Sequence, residues 1–235
     1  MTVGGLTVDV IRKPIKNLHL GVYPPHGRVR VAAPLAVSDD AVRLAVVGKL
    51  GWIKRQRAKF KDQPRESRRE LMTGESHYFL GQRYRLRVIE HAGPGKVVLR
   101  GKTVLDLYVR TGADTASRDR VLQRWYREQL KALIPAMLAK WQRAIGVTAA
   151  EWRVKRMRTK WGACSIEARR IWLNSELAKK PPRCLEYIIV HELVHLLERH
   201  HNDRFTVLMD RVLPNWESIR AQLASAPLGH EQWDH

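Results

Sequence analysis

The chain has 235 residues, of which 44% are hydrophobic, so disorder of the whole chain is not expected. No run of about 18 apolar residues predicts a transmembrane helix, and no apolar segment near the start suggests a secretory signal. Lysines and arginines (43) outnumber aspartates and glutamates (23), and the resulting net charge of +20 favours a polyanionic partner. The two cysteines, Cys164 and Cys184, are too few for a disulfide framework, so we expect a cytoplasmic protein.

The first part of the chain, residues 1–112, is predicted to be rich in β-strands and to contain one basic helix. Alternating apolar residues predict short strands near the start of the chain and again at 76–110. Ser38, followed by two aspartates, is typical of a helix N-terminus. The helix is expected to end in a basic cluster, with nine lysines and arginines between Lys49 and Arg69. No internal repeat is visible in the sequence.

The second part, residues 113–235, is predicted to hold the catalytic machinery, although both parts could form one compact unit. A long helix is expected to start at the N-cap Ser117 and to kink or break at Pro135. Two strands are predicted around a turn at 162–168, followed by a helix that opens with Pro182.

The helix predicted from Pro182 carries the sequence H-E-L-V-H from His191 to His195. Residues four apart lie on one face of a helix, so the two imidazoles can bind the same zinc ion. Glu192 then lies near enough to take a proton from a water molecule beside the metal. This HExxH pattern is a known signature of zinc peptidases. The alternative is that both histidines simply lie on a polar helix face.

A catalytic zinc site needs a third protein ligand and an open position for water. Glu198, His200 and His201 are the candidates that follow the motif. Glu198 would lie on the metal face but one turn too far away, and His200 would lie on the opposite face. His201 can reach the metal only if the helix ends or turns near Arg199. The spacing weakly favours His201 over His200.

Several segments carry a resemblance to a known family: R-T-K-W-G-A-C-S at 158–165, I-W-L-N-S-E-L at 171–177, the HExxH motif, and H-N-D-R-F at 201–205. In these segments the chain resembles the YgjP-like family of zinc metallopeptidases, which is related to the SprT-like zincins. The family usually has asparagine and serine where this chain has His200 and Asn202. The resemblance implies an α+β fold: a zincin-like metallopeptidase domain with its active-site helix beside a small sheet, preceded by a β-rich N-terminal part. It also implies that His201 is the third ligand of one zinc ion.

Zincins hold an extended substrate by backbone pairing with a strand beside the active-site helix. We expect the segment 171–175 to be this strand, with Asn174 either contacting the substrate or anchoring the strand. Arg158 and Lys160 are candidate substrate-binding residues and, with His200, candidate donors to the oxyanion. The segment Trp161-Gly162-x-Cys164 either lines the cleft or forms a tight turn packed by the indole, and the turn is favoured. Both cysteines are expected to be small buried groups, with Cys184 on the helix side from which it could reach the site.

The sequence therefore predicts a zinc metallopeptidase that acts on a protein or peptide through a glutamate-activated water. Two alternatives stay open: a metal-dependent hydrolase of nucleotides or nucleic acid, and a nucleic-acid-binding module with a structural zinc. The basic clusters at 49–69 and 153–160 suit a nucleic acid or another polyanion as an additional partner. No membrane partner is expected.

Overall fold

A computed structural model of the chain describes residues 1–23, 27–62, 70–157 and 160–225. These residues fall into two compact units, one up to residue 62 and one from residue 70 to residue 225. Among the described helices, none is long and apolar enough to cross a membrane.

The first unit is a four-stranded sheet followed by two helices. Its strands are β1 (Thr2–Val3), β2 (Leu6–Lys13), β3 (His19–Tyr23) and β4 (Arg28–Pro34), and its helices are α1 (Asp39–Val47) and α2 (Leu50–Asp62). The strand order is β1-β2-β4-β3, with β2 and β4 parallel and the outer pairs antiparallel. The predicted N-cap is confirmed, since the Ser38 hydroxyl accepts a hydrogen bond from Ala41 N. The single helix predicted here is divided at Gly48, which caps α1.

The second unit opens with another four-stranded sheet: β5 (Ser76–Phe79), β6 (Gln82–Glu90), β7 (Lys96–Arg100) and β8 (Val104–Val109). Its order, β5-β6-β8-β7, and its parallel central pair repeat the arrangement of the first sheet. Leu86, Leu105 and Leu107 on its inner face are completely buried. They belong to one hydrophobic core that also includes the helices that follow.

A long helix, α3 (Thr115–Ile145), covers the inner face of this sheet. Its N-cap is Asp114 rather than the predicted Ser117, because the Asp114 carboxylate accepts the hydrogen bond that Ser117 N donates. The helix continues through Pro135 without a break. The predicted boundary at residue 112 therefore lies between a sheet and the helix that packs on it, inside the second unit.

The remaining elements form a three-stranded sheet and a group of helices. They are β9 (Glu151–Lys155), β10 (Gly162–Ser165), β11 (Arg170–Asn174), a 3-10 helix (Ser175–Lys179), α4 (Pro182–Val194), α5 (Asp203–Val212) and α6 (Trp216–Ser225). The strand order is β10-β11-β9, and α4 packs beside β10 and β11. This confirms the predicted α+β fold with the histidine-bearing helix beside a small sheet. The turn predicted at 162–168 is wrong in its first half, where Gly162 begins β10.

Candidate metal centre

The three predicted histidine ligands are brought together by the end of one helix and the start of the next. His191 lies in the last turn of α4, and His195 is the C-cap residue of that helix. The chain then reverses, and the Asn202 side chain caps α5 by accepting a hydrogen bond from Phe205 N. His201 therefore lies immediately before α5, so it faces the histidines of α4. The helix ends at Val194, five residues before Arg199, which meets the condition for His201 to approach.

One ring nitrogen from each of His191, His195 and His201 can serve as a ligand, and these three atoms all lie within 4.8 Å of one another. The Nε2 atoms of His191 and His201 are 3.1 Å apart. Two ligand nitrogens on a tetrahedral zinc ion, each about 2.0–2.1 Å from the metal, would be about 3.3 Å apart. Donor type and spacing therefore both fit a zinc ion. Among the described residues, this group of potential metal ligands consists of the three histidines.

The lowered pKa values of His191 and His201 also suit a metal. Burial lowers the pKa of His191 to about 3, and the positive charges of His195, His201 and Arg220 act in the same direction. Burial likewise lowers the pKa of His201. Neutral imidazoles keep the lone pair that a metal ion requires.

The second nitrogen of His195 is fixed by the reversal that follows α4. His195 Nδ1 lies 3.0 Å from the backbone oxygen of Glu198, so Nδ1–H can donate to it and Nε2 keeps its lone pair. The Glu198 carboxylate instead accepts a hydrogen bond from His200 N. Glu198 thus organises the reversal and is absent from the group of converging ligand atoms. His191 Nδ1 is buried and has no partner among the described residues.

Phe205, which is only 2% exposed, packs against all three histidines. Its ring centroid lies 5.0 Å from that of His191, 4.8 Å from that of His195 and 4.7 Å from that of His201. In the sequence, Phe205 belongs to the segment 201–205 that resembles the family. That resemblance assigns no role to its phenyl ring. The structure shows that it restricts the positions of all three imidazoles.

Glu192 is 4% exposed and lies against the backbone of β10. A Cβ atom at Gly162 would be only 2.4 Å from Glu192 Oε1 and 2.8 Å from its Cδ and Cγ. Gly162 is thus required because the carboxylate occupies the space of a side chain, and not because of a tight turn. Burial raises the pKa of Glu192 to about 8, while the charge of Lys160 acts in the opposite direction.

A cavity of about 580 Å³ opens at these residues, and all of its lining lies between Lys160 and Leu223. Its wall includes the three histidines, Glu192, strand β10 and Arg220 of α6. Cys164 also lines the cavity, and burial followed by the charge of Glu192 raises the pKa of its thiol to about 11. Cys184 is instead buried near the start of α4, as expected.

Both the nitrogen and the oxygen of the Asn174 amide form hydrogen bonds within the protein. Its nitrogen donates to the backbone oxygens of Met157 and Lys160 at 2.7 and 2.8 Å. Its oxygen accepts from Met157 N and Glu176 N. The side chain is 4% exposed and holds the segment that carries Lys160. Of the two interpretations made from sequence, the anchoring one agrees with these contacts.

The segment that was expected to pair with the substrate lies in the middle of its sheet. The segment 171–175 includes β11, the central strand of its sheet, which is paired with β9 on one side and β10 on the other. Its backbone hydrogen-bonding groups are therefore already paired with neighbouring strands on both sides. β10 is an edge strand and lines the cavity, so its outer backbone edge is the one available to an extended chain.

The predicted basic residues reach the cavity only in part. Lys160 lines it, whereas Arg158 lies outside the described residues and His200 is not part of its wall. Elsewhere in the second basic cluster, Lys155 Nζ lies 4.1 Å from the centroid of Trp172. The first cluster ends in residues 63–69, which also lie outside the described ranges. Arg220, which sequence patterns did not identify, lies on the unpredicted helix α6.

Comparisons with known proteins give a family match and partial matches to solved structures. No curated protein matches the chain. Among solved structures, the abylysin metallopeptidase zymogen of Pyrococcus abyssi is 19% identical, with a TM-score of 0.36 over 38% of this chain and 90% of its own. The jannalysin zymogen of Methanocaldococcus jannaschii is also 19% identical, with a TM-score of 0.35 over 38% and 92%. Residues 16–226 match the YgjP-like metallopeptidase domain, and the chain therefore belongs to the YgjP-like metallopeptidase family.

Proposed function

We propose that this protein is a zinc metallopeptidase that cleaves peptide bonds in proteins or peptides. His191, His195 and His201 would hold one zinc ion, and Glu192 would be the general base. The observation that carries this proposal is the convergence of three imidazole nitrogens beside a buried carboxylate. Three protein ligands leave a position free for water, as in catalytic zinc sites, whereas structural sites usually have four. This argues against the alternative of a purely structural zinc.

Zinc in such a site supplies Lewis acidity, which makes a bound water more acidic and polarises a substrate carbonyl. Glu192 takes the proton of the attacking water and later transfers it to the leaving nitrogen. Its raised pKa, about 8, suits both roles, because a group that titrates near the working pH can accept a proton and return it. Gly162 allows the carboxylate to lie directly against β10.

Arg220 is the best-placed candidate to stabilise the negative charge that forms on the carbonyl oxygen. Its positive charge lowers the pKa of both His191 and His201, which means that the guanidinium lies close to the metal ligands. Among the described residues, Arg220 forms no ion pair, and its guanidinium lies over the ring of Trp216. An unpaired cation in this position suits a developing oxyanion.

An extended peptide would pair with the outer edge of β10. Main-chain hydrogen bonds provide affinity in such strand addition, and the side chains of the peptide alternate between the cavity and the solvent. Lys160, at the start of this wall, is a candidate for a substrate contact, and Arg158 remains one from its place in the sequence.

The test compares two glutamates of the same cavity wall. Glu192→Gln should retain zinc by elemental analysis and reduce kcat/KM on a quenched fluorescent peptide library by about 10²–10⁴-fold. Glu167→Gln is the control, because the Glu167 side chain is 79% exposed and should be dispensable for proton transfer. Unchanged peptide hydrolysis by Glu192→Gln would exclude the general-base role.

A second pair of variants tests the third ligand. His201→Ala should lose zinc, whereas His200→Ala should retain it, because His200 lies outside the converging group. A nucleotide panel with zinc, magnesium and manganese serves as the substrate control. Hydrolysis of nucleotides without hydrolysis of any peptide would contradict the proposal and favour the phosphate-directed alternative.

A further inference from the structure

The outer face of the sheet β5-β6-β8-β7 is exposed and rich in positive charge. Strand register places alternate residues on this face, opposite the leucines that enter the core. We use the name basic face for the five cations, two tyrosines and one carboxylate on this side of the sheet: Arg83, Arg85, Arg87, Lys96, Arg100, Tyr78, Tyr108 and Asp106. Ser76, Ile89, Val98 and Val104 lie on the same side. All five cations are exposed.

The single carboxylate on this face neutralises only part of its charge. Asp106 is completely buried and accepts two hydrogen bonds from Arg87, at 2.7 and 2.8 Å, and one from Arg100, at 3.1 Å. Arg83 and Arg85 have no acidic partner among the described residues. Five cations against one carboxylate leave an excess of four positive charges on one side of a sheet.

Aromatic rings are interleaved with these cations. Tyr78 is 37% exposed and lies directly across from Arg83 in the register of β5 and β6. Tyr108, on β8, has the Lys96 ammonium 5.0 Å from its ring centroid, and the centroid of the His91 ring lies 5.4 Å away in an edge-on arrangement. The two tyrosines thus lie among the cations on this side of the sheet.

Positive groups that alternate with aromatic rings on a sheet face suit single-stranded nucleic acid. Its phosphates attract arginine and lysine, while its unstacked bases can stack on tyrosine. In a duplex the bases already stack on one another, and an acidic peptide offers charge without the planar bases. Charge complementarity and the exposed tyrosine therefore favour the same ligand.

We propose that the basic face binds single-stranded nucleic acid. The site is separate from the proposed peptidase centre, because none of its residues lines the cavity beside the histidines. It also differs from the basic clusters recognised in the sequence, since it is formed by pairing of four strands. Binding here would bring the enzyme to proteins that associate with RNA or single-stranded DNA.

Fluorescence anisotropy with labelled single strands of about 12 nucleotides, as RNA and as DNA, tests this surface. Arg83→Ser/Arg85→Ser should raise Kd about tenfold or more and reduce the slope of log K against log salt by about 1.4, near 0.7 for each lost phosphate contact. Arg127→Ser/Arg211→Ser removes the same charge from exposed helical positions and should change Kd less than about twofold. Equal losses in both double variants would overturn the proposal.

Variants at Tyr78 distinguish base stacking from attraction by positive charge alone. Tyr78→Ala should weaken binding about fivefold or more, and Tyr78→Phe should restore it, since the phenyl ring keeps the stacking surface. A duplex of the same sequence should compete less well than the single strand. Tighter binding of the duplex, or no loss in Tyr78→Ala, would overturn the proposal even if the arginines contribute.

Peptide hydrolysis by the arginine double variant should equal that of the parent protein. The binding measurement needs neither zinc nor an active peptidase, so failure of the proposed function and failure of this inference are distinguishable. Far-ultraviolet circular dichroism of every variant shows whether a loss of binding reflects loss of the fold.

Discussion

Replacement of Gly162 by alanine tests whether β10 positions the proposed general base. The new Cβ would lie 2.4 Å from Glu192 Oε1, whereas ordinary contacts begin at 3.4 Å. The carboxylate must therefore move by about 1 Å, and a displacement of this size at a catalytic group can lower the rate about 10²-fold. Gly162 has no left-handed φ angle, so alanine fits the backbone itself.

The assay is kcat/KM on a peptide substrate, measured together with zinc content and the midpoint of urea unfolding. We expect zinc content to be retained, because the three histidines lie on other elements. Gly48→Ala is a matched control, since the nearest atom to its Cβ is 3.6 Å away. If kcat/KM of Gly162→Ala stays within about threefold of the parent value, the positional requirement for Glu192 is refuted.

Three further predictions follow from the surrounding packing. Phe205→Leu should raise the Kd for zinc about tenfold, measured by chelator competition, because the ring supports all three ligands; an unchanged Kd contradicts this. Asn174→Ala should lower the free energy of urea unfolding by about 2–4 kcal/mol, because four hydrogen bonds are lost; an effect on KM alone contradicts the anchoring role. Asp106→Asn should cost about 1–3 kcal/mol at pH 7 by the same measurement. Because hydrogen bonding by Arg87 lowers the pKa of Asp106, this contribution is present above the unfolded pKa and is lost as the pH falls through the folded pKa. The variant and the parent should therefore converge in stability as the pH is lowered, and a difference that does not shrink contradicts the assignment.

The metal ligands could be predicted because their arrangement depends largely on local structure. His191 and His195 are four residues apart on one helix, and helix geometry alone places them on the same face. The spacing to His201 was informative only together with the family resemblance, since the position of His201 depends on where α4 ends. That end is set by the contacts of Glu198 and by the Asn202 cap.

The remaining parts of the site depend on segments that are distant in the chain. The need for Gly162 arises from Glu192, thirty residues later, and strand propensity gives no indication of that contact. The segment 171–175 has the pattern of a strand, but its central place in the sheet follows from pairing on both sides. Arg220 belongs to no motif, so only the packing of α6 reveals its position beside the histidines.

The identical order of the two four-stranded sheets indicates that the chain contains a duplicated module. Val8, Val31 and the cap Ser38 correspond to Tyr84, Leu107 and the cap Asp114, and each pair is separated by the same number of residues. The side chains have diverged so far that the sequence shows no repeat. In the first copy the sheet is followed by two short helices, whereas in the second one helix of 31 residues follows and packs against α4. The second sheet therefore supports the metal-binding helix through α3, whereas the first sheet is followed only by short helices.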